Sequence, residues 1–161
     1  MFIVGVMGAG DATAEDIAMA DELGQLIAEN GWVTLNGGRS AGVMDAVNQG
    51  AKKSGGLTVG ILPDKKTGDS LDVSSMVDIV IQTGMGSARN VINVLSSDVV
   101  IACGVPGNGT ISEISLALKE NRPVILLRSS EAATQLFEEN TLVTVVNSSQ
   151  EAIEVCKEIS N

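Results

Sequence analysis

Short runs of β-branched and aliphatic residues recur along this chain, and between them apolar positions return every three or four residues. The runs fall at residues 2–7, 32–35, 58–62, 78–82, 98–102, 123–127 and 142–146, and each has the length of a buried strand. The intervening segments predict helices over residues 13–30, 42–54, 87–96, 110–120, 131–139 and 150–159. On the first of these, Ile17, Ala20, Leu23, Gly24 and Ile27 trace one apolar face, and Gly31 follows Asn30 as a stop signal. Strands that alternate with helices predict a parallel sheet covered on both sides. The expected fold is a three-layer α/β sandwich, a doubly wound, mostly parallel sheet of about seven strands with helices on both faces. The long connection over residues 63–77 is rich in Asp, Ser, Lys and Gly and reads as a mobile surface loop.

Length and charge narrow the choice of partner. A chain of 161 residues fits a single domain over 1–161, able to bury roughly 70% of its unfolded surface. Twenty acidic residues against ten basic ones give a net charge of -10, which repels nucleic acid and anionic membranes. Histidine is absent from the sequence, so imidazole can serve neither as general base nor as metal ligand. The two cysteines, Cys103 and Cys156, stand in unrelated settings and make neither a disulfide framework nor a metal quartet. No metal site is expected. Cys103 reads as a small buried hydrophobe rather than a ligand. The amino terminus lacks a basic leader, and no apolar run approaches the roughly 18 residues of a membrane span. A reducing cytoplasm is the expected setting.

Glycine is concentrated in the loops that follow strands, where an open parallel sheet binds its ligands. Four loops carry it: Gly8-Ala9-Gly10, Gly37-Gly38-Arg39-Ser40-Ala41-Gly42, Gly84-Met85-Gly86-Ser87-Ala88-Arg89-Asn90, and Pro106-Gly107-Asn108-Gly109-Thr110. The last lies between an apolar strand and an amphipathic helix, where unpaired N–H groups at a helix start suit a phosphate. Thr110 and Glu113 also read as a capping box, which would explain those two residues but not the glycines. A dinucleotide is disfavoured. Gly8-x-Gly10 lacks the third glycine of that fingerprint, and the second strand ends in Asn36-Gly37-Gly38 rather than in an acid for a ribose diol. A shorter ligand with one phosphate fits better.

Three motifs in order, Gly37-Gly38-x-x-x-Gly42-Val43-Met44, Gly84-Met85-x-x-Ala88-Arg89-Asn90 and Pro106-Gly107-x-Gly109-Thr110-x-x-Glu113, resemble the Rossmann-like superfamily of LONELY GUY phosphoribohydrolases, long labelled lysine decarboxylases. Within it, the opening Val6-Met7-Gly8-Ala9-Gly10 and the run Gly56-x-x-Val59-Gly60-Ile61-Leu62-Pro63 look most like the molybdenum cofactor carrier proteins. The resemblance implies that the cofactor, a pterin with a terminal phosphate and a molybdenum-dithiolene end, is bound and carried. It implies a binding set of Gly8, Ala9, Gly10, Gly37, Gly38, Arg39, Ser40, Met85, Ser87, Arg89, Asn90, Pro106, Gly107, Asn108, Gly109, Thr110 and Glu113. The alternative it leaves open is a phosphoribohydrolase acting on an AMP-like nucleoside monophosphate, with Arg89 and Glu113 as catalytic pair. Two departures stand out. Asn108 replaces the second glycine of a Pro-Gly-Gly run, which places a side chain where backbone normally meets the phosphate, and Asn90 replaces the lysine that often follows the arginine. The resemblance further implies a homodimer or homotetramer, paired through helices such as that bearing Val91, Ile92 and Leu95, and molybdoenzymes as possible acceptors.

Overall fold

The computed structural model describes residues 1–64 and 72–161. The expected loop over 63–77 therefore lies partly outside the described residues. Seven strands form one sheet: β1 (Ile3–Gly8), β2 (Val33–Asn36), β3 (Leu57–Leu62), β4 (Ile79–Gln82), β5 (Val99–Cys103), β6 (Val124–Leu127) and β7 (Val143–Val146). They run in the order β4-β3-β2-β1-β5-β6-β7. Every neighbouring pair is parallel. Among the described residues six α-helices accompany them, α1 (Ala14–Glu29), α2 (Gly42–Lys53), α3 (Asn90–Leu95), α4 (Asn108–Lys119) and α5 (Glu131–Phe137) between strands and α6 (Ser149–Ser160) after β7. The doubly wound α/β fold expected from the hydrophobic pattern is the fold of the chain, with strand limits displaced by a residue or so.

Side chains of the central strands alternate between two apolar layers, as a two-residue period requires. Val99, Ile101 and Cys103 of β5 pack with Leu23 and Ile27 of α1, Val47 of α2 and Ile153 of α6. Val100 and Ala102, their neighbours in sequence, face Val94 of α3 and Ile114 and Ala117 of α4 on the other side. Both faces of β1, β5 and β6 are thus dry, which explains their continuous apolar runs.

Three local expectations are corrected. Ile17 is 42% exposed; the buried stripe of α1 is Asp16, Met19, Ala20, Leu23, Gly24 and Ile27, and Ile17 falls beside it on the rim of a cleft against α2. The helix expected over 87–96 is a 3-10 turn at Gly86–Arg89 that passes into α3, with Gly86 at φ 58 opening the turn. The proposed Thr110–Glu113 capping box does not form. The helix starts earlier, with Gly107 as its N-cap and no side-chain cap bond, so Thr110 lies inside its first turn and Glu113 turns inward. A capping box does form at α1, where the Thr13 hydroxyl accepts from the Asp16 N–H at 3.1 Å and the Asp16 carboxylate accepts from Thr13.

Candidate functional site

The direction of strand progression reverses at β1, whose neighbours are β2 on one side and β5 on the other. Beyond the carboxyl ends of these strands the connecting loops part, and a crevice opens at this switch point. A cavity of about 280 Å³ occupies it. Its walls are Gly8, Ala9 and Gly10 after β1, Gly37 and Met44 around the start of α2, Arg89 and Asn90, and Gly107, Gly109, Thr110 and Glu113 of the α4 start, with Val6 and Met7 beneath.

The glycines in these walls have different reasons to be glycine. At Gly8 a Cβ would meet the Val43 side chain at 2.6 Å, so Gly8 allows β1 and α2 to touch. Gly107 is the opposite case: φ is -82, open to any residue, and a Cβ there or at Gly109 would meet nothing within 4 Å. Neither backbone strain nor packing accounts for these two. What glycine leaves there is open space over the unpaired N–H groups of a twelve-residue helix, where an anion is favoured. Asn108 is exposed and absent from the cavity wall, so the departure from glycine at 108 leaves the floor of this cradle bare.

Arg89 is the one cation among the lining residues. It occupies the N-cap position of α3, and its Nη1 donates to the Ile61 carbonyl oxygen at 2.6 Å. Burial pulls the guanidinium below its usual range, with Arg39 acting in the same direction and Glu113 and Asp64 opposing. Its intrinsic basicity keeps it charged. Facing it, Glu113 is 7% exposed and accepts from Asn93 Nδ2 at 2.7 Å. Burial raises the Glu113 carboxyl above the ordinary range, while the Asn93 bond and the Arg89 charge pull it back. Asn90 donates to the Ser112 hydroxyl at 3.0 Å. Asn93 was not anticipated from sequence; its only signal is its place one turn after Arg89-Asn90 on α3.

Several expected residues lie elsewhere. Arg39 pairs with Asp64 at 3.0 Å and Asp72 at 3.8 Å, and the Ser40 hydroxyl donates to Asp72. Ser40 lines a separate cleft between α1 and α2, of about 490 Å³, whose charged residues are the carboxylates Asp21 and Asp45. That cleft is larger, but carboxylates repel an anion. Gly38, at φ 73, packs against Gly60 rather than on the cavity. Met85, Ser87, Pro106 and Asn108 are also absent from the cavity wall. Cys103 is buried in the α1 layer with its thiol pushed up to about 12, chiefly by burial, as a small hydrophobe would be. Among the described residues no cluster of His, Cys, Asp and Glu is arranged to hold a metal.

Residues 1–153 match the model of the SLOG cluster4 family. The chain belongs to that family. Among solved structures this SLOG cluster4 protein is similar to the molybdenum cofactor binding protein of the phototrophic bacterium Rippkaea orientalis, at 52% identity and a TM-score of 0.93 over 99% of this chain and 98% of that one. It is similar also to the molybdenum cofactor carrier protein of Chlamydomonas reinhardtii, at 44% identity and a TM-score of 0.90 over 99% of each chain. A more remote relative is a cytokinin riboside 5'-monophosphate phosphoribohydrolase of Mycobacterium tuberculosis, 29% identical over 101 residues, which are 63% of this chain and 53% of the relative. The resemblance stated from the three sequence motifs is thus that of the family, and its carrier branch is the nearer of the two. No helix among the described residues is long and apolar enough to cross a membrane.

Proposed function

We propose that this protein binds the molybdenum cofactor and carries it, holding the terminal phosphate over the start of α4. The observation that carries the reading is the bare space above Gly107 and Gly109, which neither φ nor packing explains, in a cavity whose lining cation is Arg89. A phosphate monoester meets both needs, taking backbone N–H groups on one side and a guanidinium on the other. At about 280 Å³ the cavity lies at or below the lower end of small-molecule sites, so it takes the phosphate and the ring next to it and leaves the rest of the ligand at the mouth. That suits a cargo that must later be handed on. The similar proteins from Rippkaea and Chlamydomonas, named for binding and for carrying this cofactor, support the choice of ligand.

In this reading Gly107, Gly109, Thr110 and Arg89 hold the phosphate, and Gly8, Ala9, Gly10, Gly37, Asn90 and Glu113 wall the adjoining ring. Arg39 is committed to Asp64 and Asp72 and stabilises the loop instead. The setting is the cytoplasm, the acceptors are molybdoenzymes, and the carrier is a symmetric oligomer without affinity for nucleic acid.

One observation favours a second reading. Glu113 and Arg89 share the cavity, and such a pair would serve an N-glycosidase acting on a nucleoside 5'-monophosphate, the class of substrate in the name of the Mycobacterium relative. The two differ in turnover. Purified protein should retain cofactor when produced in a molybdenum-replete host and release no base from any nucleoside monophosphate. Release of adenine or another base, lost by about a hundredfold or more in Glu113→Gln, would establish the hydrolase instead.

A further inference from the structure

Gly37 is not glycine for the sake of its backbone. Its φ lies outside the left-handed range, unlike that of Gly38 at 73. What the missing side chain leaves is room for Arg89: a Cβ on Gly37 would come within 2.6 Å of Nη2 and closer still to Nη1. It would also come within 2.8 Å of the Met44 sulfur, but an unbranched thioether can swing aside. The guanidinium can move only by giving up a hydrogen bond. Its Nη1 is tied to the Ile61 carbonyl at the end of β3.

The platform itself is fixed from beneath. The Gly38 N–H donates to Asn36 Oδ1 at 2.8 Å, and Asn36 Nδ2 donates to Asn48 Oδ1 at 2.7 Å. Both asparagines are fully buried. The Ser74 N–H donates to the Gly38 carbonyl at 2.9 Å. The loop after β2 therefore cannot retreat to admit a side chain without breaking buried hydrogen bonds.

We propose that Gly37 is a positioning residue for the ligand-binding cation: its bare Cα is the seat of the Arg89 guanidinium, which can reach the Ile61 carbonyl and the cavity together only because position 37 has no side chain. This rests on the reading above, in which Arg89 meets the anionic end of the ligand. It gives each glycine of the pair after β2 its own task, which for Gly37 comes in addition to lining the cavity. Gly38 serves the turn and Gly37 serves the arginine.

A double-mutant cycle tests it, with Gly37→Ala and Arg89→Ala singly and together. Two quantities are read in all four proteins, the thermal midpoint and the dissociation constant for inorganic phosphate. Gly37→Ala should lower the midpoint by about 4 °C in the parent, as overpacking of a fixed group does, and weaken phosphate binding about tenfold. In the Arg89→Ala background both effects should vanish, because no guanidinium remains to be displaced. An equal loss of midpoint in the two backgrounds, or no loss in the parent, would overturn the proposal. A Gly37→Ala chain that fails to fold is judged through the double variant, whose recovery supports the proposal and whose failure overturns it. Absence of phosphate binding by the parent would count against the ligand reading, while the midpoint cycle would still decide the part of Gly37.

Discussion

Glu113 carries its carboxyl into a site where water is scarce, and burial makes the proton harder to remove than in the unfolded chain. The sign of the consequence follows. Between the ordinary glutamate value of about 4.3 and the raised folded value, the native state holds a proton that the unfolded state gives up. Stability is complete below that window and falls as pH rises through it. Thermal melts across this range should slope downward for the parent and more weakly for Glu113→Gln; parallel profiles would mean that the carboxyl titrates normally. The thiols make a second test at this scale. Cys103 and Cys156 are buried, with values pushed up to about 12, so a negligible fraction is thiolate at neutral pH. A thiol reagent at pH 7.5 should leave both unlabelled in the native protein and modify both after denaturation. Rapid labelling of native Cys103 would contradict its place in the core.

At the scale of elements, α1 and α2 lie close because two glycines permit it. A Cβ on Gly24 would run into the Val47 carbonyl, and one on Gly50 into the Asp21 carbonyl. Backbone cannot move aside as a side chain can, so Gly50→Ala should cost at least about 2 kcal/mol despite the better helix propensity of alanine. Thr13→Ala, which removes the α1 cap, should cost about 1 kcal/mol. Urea denaturation measures both, and a stabilised Gly50→Ala would show that the helices can part. These elements also mark how far sequence alone reaches. Strands buried on both faces were legible because burial leaves continuous aliphatic runs, and helix α1 because Asn30-Gly31 punctuates it. The start of α4 was not, since Thr110-x-x-Glu113 matches a capping box in letters while its glutamate is drawn inward to Asn93. Nor was the reason for Gly50, which lies in a carbonyl of another helix. At the site, the glycine loops identified the right strand ends, but not that Gly37 faces an arginine or that Arg39 is committed to two aspartates.

For the whole molecule, the question is what covers its remaining apolar surface. Val91 and Leu95 of α3 are 38% and 48% exposed, and on the edge strand β4 Ile79, Val80 and Ile81 are all exposed as well. An unpaired apolar edge is a liability in an isolated chain. We therefore expect a symmetric dimer, or a tetramer built from two dimers, that covers this side. Light scattering at micromolar concentration should give a multiple of 16.5 kDa, and a charge at Leu95, as in Leu95→Glu, should lower it. A monomeric parent would count against the assembly. The central claim, that the α4 start is the seat of a cofactor phosphate, is tested most directly by equilibrium binding of isolated molybdenum cofactor to the parent and to Gly107→Val. The parent should saturate at one cofactor per chain. The variant should fold normally, since its Cβ meets nothing within 4 Å, yet bind at least about tenfold more weakly because its side chain fills the anion position. Equal affinity in the two proteins, or a parent that binds no cofactor, would contradict the claim.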